Sequence, residues 1–377
     1  MRKLLCILTI LVGAAGSFAQ GKRDVAVQKR IQRLIGQLGA EKFADREQAT
    51  ERLLRIGVQA LPALVEVAKK ARDKEIRTRA VRIARIVRQN DFKDQLAIFL
   101  KGKSDGKRLA GWKKFKTLAG DKLHTRRLFV QMLRAQPKLF QHLQAGNLKA
   151  VVDELNIATS RAATKRQFGE TVEVGPVAAL LFVAGDPKIE LDATTSLVLS
   201  SNLCFVPSVQ TTIIGGAKKS IIRKLIAQVI KRNGATPAEP YWMMLAMDHK
   251  IAAEGLEAAL RILKNKPAAL SAEFALLALA KYGDRKHASL AASFIGDSRR
   301  VQIRNVQILG MQRLRETQVG DVALATAVLL EKRDLAKFGM SKVMTHRTRV
   351  LDIRSLGFVN RKARDAAKMK FAMRPKR

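Results

Sequence analysis

Residues 74–90 read KEIRTRAVRIARIVRQN. Ile76, Ala80, Ile83 and Val87 recur at three- and four-residue steps, while Arg79, Arg82, Arg85 and Arg88 fall outside that stripe. That period belongs to an α-helix with one apolar face to bury and a strongly basic remainder. Upstream, 44–57 (ADREQATERLLRIG) carries Asp45 as the expected N-cap and ends at Gly57, the residue type that best accepts the conformation closing a helix. Pro62 then falls in the first turn of a further helix over 60–71, where its missing N–H costs nothing. Three short helices joined by tight turns therefore fill 40–90 as stacked helical hairpins.

The same grammar returns downstream. Ala272 to Tyr282, a turn at Gly283-Asp284, and Arg285 to Ile295 read as helix, turn and helix. Setting Gly283 against Gly57 places Leu290 on Leu64, with LAKYG beneath LLRIG. Gly255 to Leu263 aligns with 287–295 at an offset of 32, and Val322 to Leu330 aligns again after roughly 32 to 34. A repeat at that spacing means a solenoid, in which each helical pair buries its face only against its neighbours.

At these residues the chain resembles bacterial HEAT-like repeat proteins, of the short type also found among phycobilisome-lyase relatives. The match is clearest over 39–90 and 237–335 and is carried by small and aliphatic positions. The resemblance implies an all-α fold, an α-solenoid of stacked helical hairpins, with a protein partner on its surface. Tetratricopeptide repeats share a 34-residue period, but their spaced Trp, Tyr and Pro positions do not occur here.

Between the repeat blocks, 106–145 reads as two or three amphipathic helices, and 167–190 as a loop-rich stretch around a short apolar helix at 176–184. Residues 191–214 are uncharged over most of their length and suit buried helices or a short strand pair. From Lys337 the apolar period fades, and a frayed basic tail is expected over 337–377. The expected organisation is a leader (1–19), a HEAT-like block (20–90), a basic helical region (91–190), a HEAT-like solenoid (191–336) and that tail.

The leader is MRKLLCILTILVGAAGSFAQ. It has a basic start at Arg2 and Lys3, an apolar run from Leu4 to Ala15 and a small-x-small site at Ser17-Phe18-Ala19. That is the pattern of a secretory signal peptide, and its apolar run is shorter than the ~20 residues that span a bilayer. Cleavage near Ala19 would send the chain to the periplasm, cell envelope or exterior with one thiol, Cys204, read as a buried small hydrophobe. No later segment is apolar enough to span a membrane.

The chain has 377 residues, with 71 Lys+Arg against 32 Asp+Glu and a formal charge of +39. Hydrophobic residues reach 47%, enough for a core, while aromatics are 5% and cysteines two, which excludes a disulfide framework. The excess of cations lies toward the two ends and points to polyanionic partners, not to a fold. Its densest cluster is Lys101, Lys103, Lys107, Arg108, Lys113, Lys114 and Lys116, set around Trp112 and Phe115. Cations beside an aromatic ring suit a phosphate- or sulfate-bearing chain with stackable groups. The arginine face of Arg79, Arg82, Arg85 and Arg88 is the second candidate.

Motifs for chemistry are sparse. HExxH, paired CxxC and GxSxG are absent, and Ile213 to Ser220 (IIGGAKKS) lacks the glycine spacing of a phosphate loop. Five histidines at 124, 142, 249, 287 and 346 do not assemble a metal-ligand pattern. Asp153-Glu154 reads as a solvated helical pair, and Glu170 and Glu173 as the acids on a loop. The sequence thus leads to an exported, non-enzymatic scaffold without cofactor or metal. Binding of nucleic acid, acidic polysaccharide or an anionic envelope surface is its alternative.

Overall fold

The computed structural model describes residues 25–167, 173–205, 219–232, 236–308 and 311–373. The leader, Glu170 and most of the phosphate-loop-like stretch lie outside them. Among the described residues the chain is predominantly helical, and no helix is long and apolar enough to cross a membrane. It divides into two compact units, 1–105 and 106–377.

In the first unit, α1 (25–37), α2 (Phe43–Ile56), α3 (Leu61–Lys70) and α4 (Lys74–Leu100) enclose one core. Ile31, Leu34, Leu38, Leu53, Leu64 and Ile83 fill it, with Ala49, Ala80 and Val87 between them. The stripe read from the sequence is therefore the buried one. Gly57 closes α2 at φ +69°, its N–H donating to Leu53 O, and Pro62 occupies the first turn of α3. Asp45 is not the N-cap expected of it: α2 begins at Phe43 and Asp45 lies inside its first turn, where a carboxylate favours the positive helix end. Asp73 caps α4, accepting from the N–H groups of Glu75 at 2.7 Å and Ile76 at 3.0 Å. α4 runs to Leu100, ten residues beyond the expected boundary at Asn90.

The second unit begins with three short helices, α5 (Trp112–Ala119), α6 (Leu123–Ala135) and α7 (Pro137–Gln144). Four more follow: α8 (Leu148–Gln167), α9 (Val174–Ala184), α10 (Ala193–Phe205) and α11 (Lys219–Arg232). Next come α12 (Glu239–Asp248), α13 (Ala252–Lys264), α14 (Ala269–Tyr282) and the short α15 (Ala288–Ala292). The packing order is regular. α6 touches α9, α9 touches α11 and α11 touches α13, while α8, α10, α12, α14 and α16 (Val319–Leu330) follow one another in a second row. Helices held on several sides are apolar nearly all round: α9 and α16 bury almost every residue, and α14 buries the whole run from Ser271 to Leu279. Several buried polar groups of the second row pair with one another: Trp242 Nε1 donates to Ser196 Oγ at 3.0 Å and Thr326 Oγ1 to Leu276 O at 3.2 Å.

Two expectations are corrected here. First, the stretch before α16 is an antiparallel hairpin, β1 (Arg300–Ile308) with β2 (Met311–Gln318), inside what reads as continuous helical repeat. Gly320 sits just after it, where a Cβ would lie 2.4 Å from Ile295 O, so the close approach needs glycine. Second, the described part of the C-terminal segment is not frayed. It folds into a small pair, β3 (Thr345–His346) with β4 (Val350–Leu351), and a helix α17 (Arg361–Ala372). Arg364, Ala367 and Phe371 of α17 are buried at three- and four-residue steps. Phe371 stacks edge-on against Phe338 at 6.0 Å.

Candidate basic site

The basic-aromatic cluster does not survive as a stacking platform. Trp112 is 1% exposed and Phe115 is fully buried. Their rings lie 5.2 Å from Phe129, which meets Phe140 edge-on at 5.7 Å. Trp112 is thus removed from the ligand-binding candidates: an indole packed in a core has no face for a base or sugar. The three-residue spacing of Trp112 and Phe115 puts both on the inner side of α5 and sends Lys113, Lys114 and Lys116 outward.

The outward lysines have different duties. Lys114 Nζ pairs with Asp186 Oδ2 at 2.5 Å, and Lys116 with Asp121 Oδ2 at 2.7 Å. Arg126 reaches the other Asp121 oxygen at 2.6 Å, and Arg126 first, then Lys116, holds that carboxyl below its ordinary range. Burial pushes the Asp186 carboxyl up, but Lys114 and the Lys188 N–H outweigh it and leave it lowered. Lys107, Arg108 and Lys113 are exposed. Lys101 and Lys103 are exposed too, but they belong to the first unit and not to this site.

Lys113, Lys114 and Thr117 of α5 line a cavity of about 470 Å³, completed by Phe182, Gly185, Asp186, Pro187 and Gln228. Gln228 belongs to α11, whose next cations open on a second cavity of about 720 Å³. Lys219, Ser220, Arg223 and Lys224 line that one, against Ile251, Ala252, Ala253 and Glu254 at the start of α13. No side chain caps α13, so the positive end of its peptide dipoles adds to three cations. The walls are tied in place. Lys224 Nζ donates to Leu118 O at 3.0 Å, joining α11 to α5, and Arg223 donates to Lys250 O. Arg232 gathers the carbonyls of Ala184, Asp186 and Ile189. In the sequence Lys219 stands out only as part of the phosphate-loop-like stretch, and Arg223 and Lys224 carry no signal of their own, because the i, i+4, i+5 spacing of the three matches any exposed basic helix face.

The arginine candidates of the first unit also separate. Arg79 donates to Glu47 at 2.7 Å and to Glu75 at 2.6 Å, and those two carboxylates raise its pKa. It is a structural tie between α2 and α4, not a ligand contact. Arg82, Arg85 and Arg88 are exposed.

Titratable groups also gather around α10, α12 and α14. Cys204 Sγ lies 3.5 Å from Tyr241 O, and burial pushes its thiol up to about 12, so it carries no thiolate at neutral pH. Thr348 Oγ1 donates to Asp248 Oδ1 at 2.5 Å, and Lys281 Nζ to the carbonyls of Met247 and Thr348. Glu273 is completely buried, its two carboxylate oxygens have no hydrogen-bond partner among the described residues, and burial raises its pKa to about 8. Glu154 is buried rather than solvated, 3.9 Å from Arg161. Among the described residues no three His, Cys, Asp or Glu side chains converge as metal ligands.

No family model, curated protein or solved structure matches the chain.

Proposed function

We propose that the second unit is a HEAT-like α-solenoid that binds an anionic polymer across α5, α11 and the start of α13. The observation that carries this reading is that two cavities share one helix, α11, and are lined by five cations against two carboxylates, Asp186 and Glu254. The two rows of helices, each touching the next in its row, support the solenoid. Such a stack lays out an extended surface that suits an extended ligand better than a compact one. The sequence put a protein scaffold first. The polymer reading is favoured because the exposed apolar residues Leu123, Leu148, Ile157, Phe205 and Leu270 are distributed over four helices, whereas the cations converge. With the expected leader, the polymer would be met outside the cytoplasm, as acidic polysaccharide, extracellular nucleic acid or envelope polymer.

The test is retention on immobilised heparin, with a salt series. Retention should fall steeply with salt, since each phosphate or sulfate paired releases a condensed counterion. Lys113→Glu with Arg223→Glu should elute early while keeping wild-type helicity. Elution unchanged by that pair would overturn the site.

A further inference from the structure

The exposed face of α4 in the first unit is independent of the α5–α11–α13 site. Viewed down α4, Lys74, Arg77, Val81, Arg85, Arg88 and Phe92 fall at three- and four-residue steps along one arc, opposite Ile76, Ala80, Ile83 and Val87. That arc contains no carboxylate. Glu75 points to the flank, where it pairs with Arg79, and Asp91 accepts from Gln95 Nε2 at 2.6 Å. Arg85 and Arg88, with Arg82 beside them, make no hydrogen bond or ion pair within the described residues, in contrast to Arg79. Interleaved with these free guanidinium groups are two large apolar side chains, Val81 at 43% and Phe92 at 39% exposure.

Apolar groups held between unneutralised cations are poorly placed for a purely ionic ligand, because a phosphate or sulfate chain would leave Val81 and Phe92 in water. They suit a bilayer surface, where guanidinium groups meet phosphate headgroups and short apolar side chains enter the acyl boundary beneath them. The arc from Lys74 to Phe92 spans about 27 Å at the rise of an α-helix, long enough to lie across several headgroups. We infer that α4 docks the protein on an anionic phospholipid surface through Arg85, Arg88 and Phe92, with Val81 and Arg82 at the margin.

The net charge of the whole chain would draw it to any anionic vesicle, so the test needs a local reporter. Trp112 and Trp242 are both 1% exposed and give a constant background. In full-length protein carrying Phe92→Trp, fluorescence should shift to the blue on adding vesicles of phosphatidylglycerol and phosphatidylcholine. It should also be quenched when the acyl chains are brominated. Adding Arg85→Glu and Arg88→Glu should weaken vesicle affinity by about two orders of magnitude, as expected for reversal of two interfacial charges. It should abolish quenching with no loss of helicity. Lys113→Glu with Arg223→Glu should leave the quenching intact, which separates this surface from the polymer site. Sedimentation with vesicles but no quenching at position 92, or a blue shift produced equally by heparin or single-stranded nucleic acid, would overturn the assignment.

Discussion

Arg364 grips Asp321 with two hydrogen bonds, Nε to Oδ1 at 2.9 Å and Nη2 to Oδ2 at 3.1 Å, joining α17 to α16. Asp321 is fully buried and Arg364 is 8% exposed. Nη2 also donates to Glu316 O, and the second Asp321 oxygen accepts the Gln318 N–H, so the acid is satisfied on both sides. Breaking one half of a buried pair leaves an uncompensated charge, which costs about 3–5 kcal/mol. Arg364→Ala should therefore lower unfolding free energy by that amount in urea titrations. Arg364→Met with Asp321→Leu should recover much of it, because no charge is then stranded. A loss below 1 kcal/mol in the single variant would mean that α17 does not hold the second unit together.

Glu273 sets a pH dependence of opposite sign to that of most carboxylates. Its ordinary value is 4.5, and burial raises it to about 8 in the folded chain, the charge of Arg349 only partly opposing the shift. Between those values the unfolded chain has released a proton that the folded chain retains. Stability is therefore fullest below the unfolded value and is lost as pH rises toward the folded one, at up to ~1.4 kcal/mol per unit. Denaturation midpoints measured from pH 5 to 8 should fall with pH, and Glu273→Gln should flatten the slope. A Gln variant with the wild-type slope would sink this account.

Gly111 opens α5 at φ +81°, and a Cβ there would lie 2.9 Å from Cε1 of Phe182. The ring of Phe182 is itself wedged between Phe115 and Phe140, so it has little room to yield. Gly111→Ala combines a left-handed backbone with overpacking, for a total cost of about 2–4 kcal/mol. Calorimetry should show a lowered Tm, and Trp112 emission should move to the red if the aromatic cluster opens. A Tm within one degree of wild type would show that the turn relaxes freely.

What the sequence made legible follows from how local each signal is. The α4 stripe, Gly57 and Pro62 report on contacts within a few residues, and the structure places them as read. The hairpin at 300–318 was missed because its apolar residues alternate only briefly before Asn305 and Gln307 interrupt the period of two. The C-terminal helix was hidden by composition: Ala367 and Phe371 mark its buried face, but the third position is Arg364, buried only because Asp321 meets it from 43 residues away. The basic cluster failed in part for the same reason. Sequence spacing assigned Lys113, Lys114 and Lys116 one role, and only tertiary partners separate the free cation from the two that are paired.

That separation makes a last prediction. Lys114 and Asp186 form a pair in which the lysine is 57% and the aspartate 11% exposed, and the carboxylate also accepts the Lys188 N–H. Lys114→Glu sets a second carboxylate against Asp186 and should destabilise the second unit. The effect should be modest, about 1 kcal/mol, because the lysine end is well solvated. Lys113→Glu meets no such acid and should leave Tm unchanged while shifting heparin elution to lower salt. Elution and Tm measured together on the two single variants distinguish a ligand contact from a structural tie. If Lys113→Glu lowers Tm as much as Lys114→Glu does, the division of labour on α5 is wrong, and with it the choice of Lys113 as a polymer contact.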